Sequence, residues 1–199
     1  MIICPPVRSS NTADLLARAK AGSPDALNVI YERMSGRLLA YIRLRMGRDL
    51  RSRLESRDLL QASLLKSFQK IRDFRGTETR SLMAWLARIA EHEIRDSVDH
   101  LHRQRRDAAR EEPLNDSAPL PAITRSALSR VILEEEARRL EEAMDHLSPE
   151  HRDVILMRKF EELSFGEIAA RTGRSEDACR MRLARAMTAL TLRLSEISG

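Results

Sequence analysis

Apolar and polar positions in the last third of the chain predict two short helices separated by one glycine. In "ELSFGEIAARTGRSEDACRMRLARAM", residues 162–187, Ser164 and Glu167 stand three apart. The serine oxygen then accepts from the N3 amide while the glutamate reaches back to the N-cap amide, a capping box. Leu163 and Ile168 occupy the places of a hydrophobic staple over the same helix start. Gly173 ends this helix, because glycine enters the left-handed conformation without a Cβ penalty. Ser175 is the next N-cap, with Glu176 and Asp177 in a first turn where the helix dipole favours acids. Cys179, Leu183, Ala186, Met187 and Leu190 then gather on one face of a 3.6-residue helix, while Asp177, Met181 and Arg185 point away and Arg180 and Arg182 take the flanks. The unit is a helix-turn-helix pattern, whose second helix suits the DNA major groove, with N-terminal residues on base edges and arginines on phosphate or guanine. A charged helical hairpin of an ordinary all-α protein has the same pattern, and both readings stand at this point.

Upstream, Thr12 and Asp14 open a short helix that Gly22 ends, and Ser23 with Pro24 starts another in N-cap and N1 roles. Leu27, Ile30, Tyr31, Met34, Leu38 and Ile42 line its expected buried face. "RLRMGRDLRSRLESRD", residues 43–58, is arginine-rich, broken by Gly47, and reads as a solvated surface without functional weight. A third helix, about residues 57–72, carries Leu60, Leu64, Ser67, Phe68 and Ile71 on one side, with Phe68 expected in the core. A fourth starts near Thr79 or Ser81 and runs through Leu82, Trp85, Leu86 and Ile89. It then loses its apolar stripe and gains Arg95, His100, His102, Arg103, Arg105 and Arg106, an exposed basic end. From 105 to 128 the periodicity fails, and Pro113, Pro119 and Pro121 mark a linker. Extended at ~3.3 Å per residue, about twenty such residues could separate two domains by up to roughly 70 Å. The expected fold is therefore all-α: two small helical domains, 12–104 and 129–195, joined by a Pro-containing linker over 105–128.

Composition narrows the functional classes. Hydrophobic residues make up 42% and charged residues 33% of 199, enough for a buried core. The net charge of +5 suits a polyanionic partner without demanding one. The start "MIICPPV" is too short and too proline-broken for a signal peptide, and no stretch approaches a membrane span, so the expected place is the cytoplasm with no membrane partner. Cys4 and Cys179 lie at opposite ends, against a disulfide framework, and Cys179 reads as a small hydrophobe. His92, His100 and His102 in "HEIRDSVDHLH" lack the H-E-x-x-H spacing that puts two metal ligands on one helix face, and no Gly-rich phosphate loop occurs. No metal, cofactor or catalytic residue is expected.

Two segments in order then resemble a known family. "SRDLLQASLLKSFQKIRDFRG", residues 56–76, is similar to region 2 of bacterial sigma factors of the sigma-70 family. "SLMAWLARIAEHEIRD", 81–96, resembles the run that follows it in the extracytoplasmic-function group. "LSPEHRDVILMRKFEELSFGEIAARTGRSEDACRMRLARAMTAL", 147–190, resembles that group's region 4. The resemblance implies a promoter-specificity subunit, not an enzyme, that binds core RNA polymerase and promoter DNA and is sometimes held by an anti-sigma factor. It puts Asp58, Gln61, Leu65 and Phe68 on the β′ clamp helices, and region 4 on the β flap. It assigns Phe74, Arg75, Thr77, Arg88, His92 and Arg95 to the minus-ten element, where a flipped base needs a pocket with hydrogen-bonding groups, and His92 stands in place of the family's usual Asn. It assigns Ser175, Glu176, Asp177, Arg180, Arg182 and Arg185 to the minus-thirty-five element. The rival is a helix-turn-helix regulator that never touches polymerase; it explains 164–187 equally well but gives no reason for 58–96.

Overall fold

The structure, a computed structural model, describes residues 12–107 and 127–198, with side chains for 12–103 and 135–197. The N-terminal half comprises α1 (Thr12–Lys20), α2 (Pro24–Arg51), α3 (Ser56–Lys70), a 3-10 turn (Ile71–Asp73) and α4 (Thr79–Asp107). The C-terminal half comprises α5 (Ala127–Asp145), α6 (Pro149–Ile155), a π turn (Leu156–Phe160), α7 (Phe165–Thr172) and α8 (Glu176–Ser198). No strand occurs among the described residues. Helix thus enters both ends of the expected linker, at 105–107 and 127–128; its centre, like Cys4, lies outside the described residues.

Local signals place the helix ends. Ser23 accepts from the Ala26 amide at 3.4 Å with Pro24 at N1, and Ser148 does the same for His151 ahead of Pro149. Ser164 and Glu167 close the capping box, at 3.2 Å to the Glu167 amide and 2.6 Å from the Ser164 amide. Gly173 sits at φ 68°, ψ 26°, the left-handed C-cap. Ser175 accepts from the Ala178 amide at 3.2 Å.

Around α2, the helices α1, α3 and α4 bury Leu15, Leu16, Ile30, Leu38, Tyr41, Ile42, Leu82, Met83 and Leu86. The buried face of α3 is in part the one expected, with Ser67 and Ile71 buried and Leu60 and Leu64 packed against the core. Ser56, Leu59 and Ser63 also turn inward, however, while Phe68 is 54% exposed and Leu65 59%. Small serines let α3 approach α2 closely and keep their hydroxyls satisfied, Ser63 donating to the Leu59 carbonyl at 2.6 Å and Ser67 to the Leu64 carbonyl at 2.7 Å. Phe68 is therefore a surface residue, correcting its expected place in the core. In the C-terminal half, α5, α6 and α7 pack on α8 around Met144, Val154, Leu156, Ile168, Cys179 and Ala186.

The two halves touch along α2, which packs against α5 and the π turn. The arginine-rich end of α2 is thus not the solvated surface its composition suggested. Arg43 grips both oxygens of Glu141, one at 2.8 Å, Arg45 pairs with Asp153, and Arg51 with Asp145. Arg37 meets Glu162 at 2.6 Å and donates to the Lys159 and Phe160 carbonyls at 2.9 and 3.1 Å. Gly47 holds φ 67°, ψ 174° inside α2, a region open in practice to glycine alone. A Cβ there would lie 2.7 Å from the Arg152 guanidinium.

Candidate nucleic-acid and partner interfaces

The helix-turn-helix is built as its sequence pattern implies, with Cys179, Ala186 and Leu190 of α8 buried and Asp177, Met181, Ala184, Arg185 and Thr188 exposed along an outward ridge. Beside this ridge, Ala178, Met181, Arg182 and Arg185 line an open groove with Ser148, Glu150 and His151 from the start of α6. The carboxyl of Glu150 is held below the ordinary glutamate range by its own backbone amide and by Ser148, with Arg182 and Arg174 adding to the effect. The α6 residues were absent from the sequence assignment; the S-P-E start of α6 was the signal that could have found them. Arg180 leaves the groove on the other flank. It binds Asp177 at 2.9 Å and Glu176 at 3.0 Å, and its guanidinium lies 5.2 Å from the centre of the Phe165 ring. Ser175 is committed to its cap.

The residues assigned to the minus-ten element separate into two sets. Arg75, Thr77, Arg88, His92 and Arg95 are exposed on the loop before α4 and along its outer face. His92 Nδ1 and Arg95 Nη1 stand 3.5 Å apart, one turn of helix separating them. Phe74 belongs to the other set: only 6% exposed, it packs on Trp85 with ring centres 5.1 Å apart and lies under the Lys20 ammonium at 5.2 Å. Gly76 allows this, since a Cβ there would sit 2.4 Å from the Phe74 ring. Phe74 shapes the loop from beneath, a correction to its expected place on the reading surface.

Of the residues assigned to polymerase, Asp58, Leu65 and Phe68 are exposed and Gln61 is half-buried. Leu65 and Phe68 form an apolar pair on α3 that the fold does not use. Lys66, between them, pairs across to Glu93 and to Asp96 of α4, the latter at 3.5 Å, so this face and the reading face of α4 are fixed to one another. Among the described residues, no three His, Cys, Asp or Glu side chains gather as a metal site, and no helix is long and apolar enough to cross a membrane.

Residues 30–107 match the family model of sigma-70 region 2, and residues 137–190 that of sigma-70 region 4. The chain belongs to the sigma-70 family, as an extracytoplasmic-function sigma factor. This sigma factor is 29% identical to the RNA polymerase sigma factor CarQ of Myxococcus xanthus over 182 residues, 92% of this chain and 97% of CarQ. It is 26% identical to the ECF RNA polymerase sigma factor BldN of Streptomyces coelicolor over 186 residues, 92% of this chain and 65% of BldN. Its fold is also that of CnrH, solved in complex with the cytosolic domain of CnrY, with a TM-score of 0.54 at 23% identity over 94% of this sigma factor and 99% of CnrH. The two matched regions contain both helical surfaces described above.

Proposed function

We propose that this sigma factor binds core RNA polymerase, directs it to promoters, and supports promoter melting and initiation, acting in the cytoplasm by binding while polymerase supplies the chemistry. The observation that carries this is the exposed Leu65 and Phe68 pair on α3, within the Asp58 to Phe68 segment matched to region 2. Two apolar side chains left outside the core, beside exposed Asp58, give a partner both burial and charge. We assign 12–104 to clamp-helix and minus-ten binding, 105–128 to the linker, and 129–195 to minus-thirty-five and β-flap binding. Run-off transcription with purified core polymerase and a genomic fragment library tests the reading. Template-specific transcripts are expected, and Leu65→Ala with Phe68→Ala should weaken core binding at least tenfold without changing helical circular dichroism. Transcription unaffected by the pair, or no transcripts at all, would refute it.

For base selection we assign His92 and Arg95, with Arg75, Thr77 and Arg88 along the track of the melted strand. In the helix-turn-helix, Arg182 and Arg185 face phosphate, and Met181 at the crest of the ridge, 56% exposed, is placed to meet a thymine methyl. Replacing thymine by uracil at one minus-thirty-five position should therefore weaken holoenzyme binding several-fold. With Met181→Ala the same replacement should have no effect; an equal loss in both proteins would remove Met181 from base reading. CnrH is held by a second protein in its complex, and we assign to this sigma factor a partner of the anti-sigma kind.

A further inference from the structure

We propose that α1 is a clasp on the minus-ten loop, and that its Lys20 and Thr12 are positioning residues for the base selection assigned to that loop. The proposal rests on the sigma-factor reading above and extends it to a helix that lies ahead of the residues matched to region 2, which begin at 30. Two contacts make the clasp, one at each end of α1. At the C-terminal end the Lys20 ammonium donates to the Gly76 carbonyl at 3.4 Å and lies 5.2 Å from the centre of the Phe74 ring. At the N-terminal end the Thr12 and Thr79 hydroxyls share a hydrogen bond of 2.9 Å, where the loop enters α4. Thr12 and Lys20 stand about 12 Å apart along their helix, and the chain from Gly76 to Thr79 reaches about 10 Å when extended. α1 therefore matches in length the stretch it holds.

The clasp has a firm base. Leu15, Leu16 and Ala19 are buried where α1 packs on α2, and Gly22, at φ 93°, turns the chain so that the Ser23 amide donates back to the Arg18 carbonyl at 2.9 Å. The fit to the loop is close. Phe74 is held between Lys20 and Trp85, its ring centre 5.1 Å from that of the indole. Gly76 cannot slide over it, because even a Cβ there would fall 2.4 Å from the Phe74 ring and 2.7 Å from Ser81 Cβ. Arg75 and Thr77, on either side of Gly76, are left exposed. Lys20 thus directs its charge at a ring and a carbonyl beneath the loop, attractions that fix the backbone of Gly76 without covering the outer face. A loop already fixed in this way loses little freedom when a base enters, whereas a loose one must be ordered at that moment. The difference falls on the sequence the loop reads and leaves contacts to the phosphates of any strand unchanged.

Strand capture by the full chain reconstituted with core polymerase tests the clasp. The probe is a non-template single strand randomised over the minus-ten positions, and the bound molecules are sequenced. Lys20→Met should cut the enrichment of the preferred bases several-fold while total binding, its salt dependence and helical circular dichroism stay as they were. Lys20→Arg, which keeps a cation over the ring, should restore most of the enrichment, and Thr12→Val should give a smaller loss in the same direction. In the free chain, Trp85, the one tryptophan of the sequence, should be quenched more steeply by acrylamide with Lys20→Met and revert with Lys20→Arg. Equal weakening on every sequence, with a salt slope lower by about 0.7, would make Lys20 a phosphate contact and overturn the clasp. Enrichment by the unaltered chain that Lys20→Met leaves intact, or Trp85 quenching that it leaves intact, would overturn it as well. If the unaltered chain enriches no sequence while Trp85 responds to both lysine variants as expected, the clasp stands and the sigma-factor reading falls.

Discussion

Replacing Arg171 by Met is expected to lower the unfolding free energy by about 3 kcal/mol, and adding Glu161→Gln to return most of that loss. Glu161 is only 2% exposed, and its charge is met by Arg171 at 2.6 Å and by the Tyr41 hydroxyl, which donates at 3.3 Å. Removing the guanidinium strands a buried carboxylate, whereas a neutral amide in its place carries no such penalty. Burial already raises the Glu161 carboxyl above the ordinary glutamate range, Arg171 working against it and Glu91 with it. Losing Arg171 raises it further. An acid whose folded pKa lies above its unfolded value costs nothing at low pH, where it is neutral in both states, and destabilises as pH rises through and beyond the unfolded pKa. The Arg171→Met deficit should therefore be larger at pH 7 than at pH 5, and this excess should vanish with Gln at 161. Urea unfolding of the four proteins at both pH values measures it; a pH-independent deficit, unchanged by Gln, would show that Arg171 acts by packing alone.

The second large effect is expected at Gly47. Any side chain there meets a backbone conformation that costs about 1–3 kcal/mol for a residue other than glycine. Its Cβ would also fall 2.7 Å from Arg152 Nη1, so the guanidinium must leave Asp145. Gly47→Ala should lower the melting temperature by several degrees, and Arg152→Ala in the same chain should relieve the contact but not the backbone cost. Gly22→Ala provides the comparison, because its φ of 93° is also positive while nothing lies within 4 Å of the added Cβ. Equal losses at the two glycines would assign the whole effect to the backbone and none to Arg152.

Short-range chemistry was legible in the sequence, and what depends on a distant neighbour was not. The N-caps at Ser23 and Ser164 and the left-handed turn at Gly173 are settled within four residues, and the structure has them where the pattern put them. The face of α3 was legible in part: Ser67 and Ile71 are buried as the period required, but Ser56 and Ser63, which look like solvent residues in a sequence, are buried too, and Phe68, which periodicity weighs as apolar, is exposed. Phe74 was read as a base contact because an aromatic in a basic loop has that composition; its burial needs Trp85, eleven residues on, and the space left at Gly76. The arginines at the end of α2 were misread for the same reason at longer range, their partners being 94 to 108 residues away, from Asp145 for Arg51 to Asp153 for Arg45. Met181 and Arg185 turned outward as the helical period required.

Arg180 carries its own counterions. Glu176 and Asp177 neutralise it before any DNA arrives, so on binding phosphate it would exchange carboxylate contacts for new ones and return no condensed sodium to solution. The entropy of that release, which usually drives basic helices onto DNA of any sequence, would come from Arg182 and Arg185. A helix arranged in this way gives up non-specific affinity, and each wrong site along a genome would hold it more briefly than its number of arginines implies.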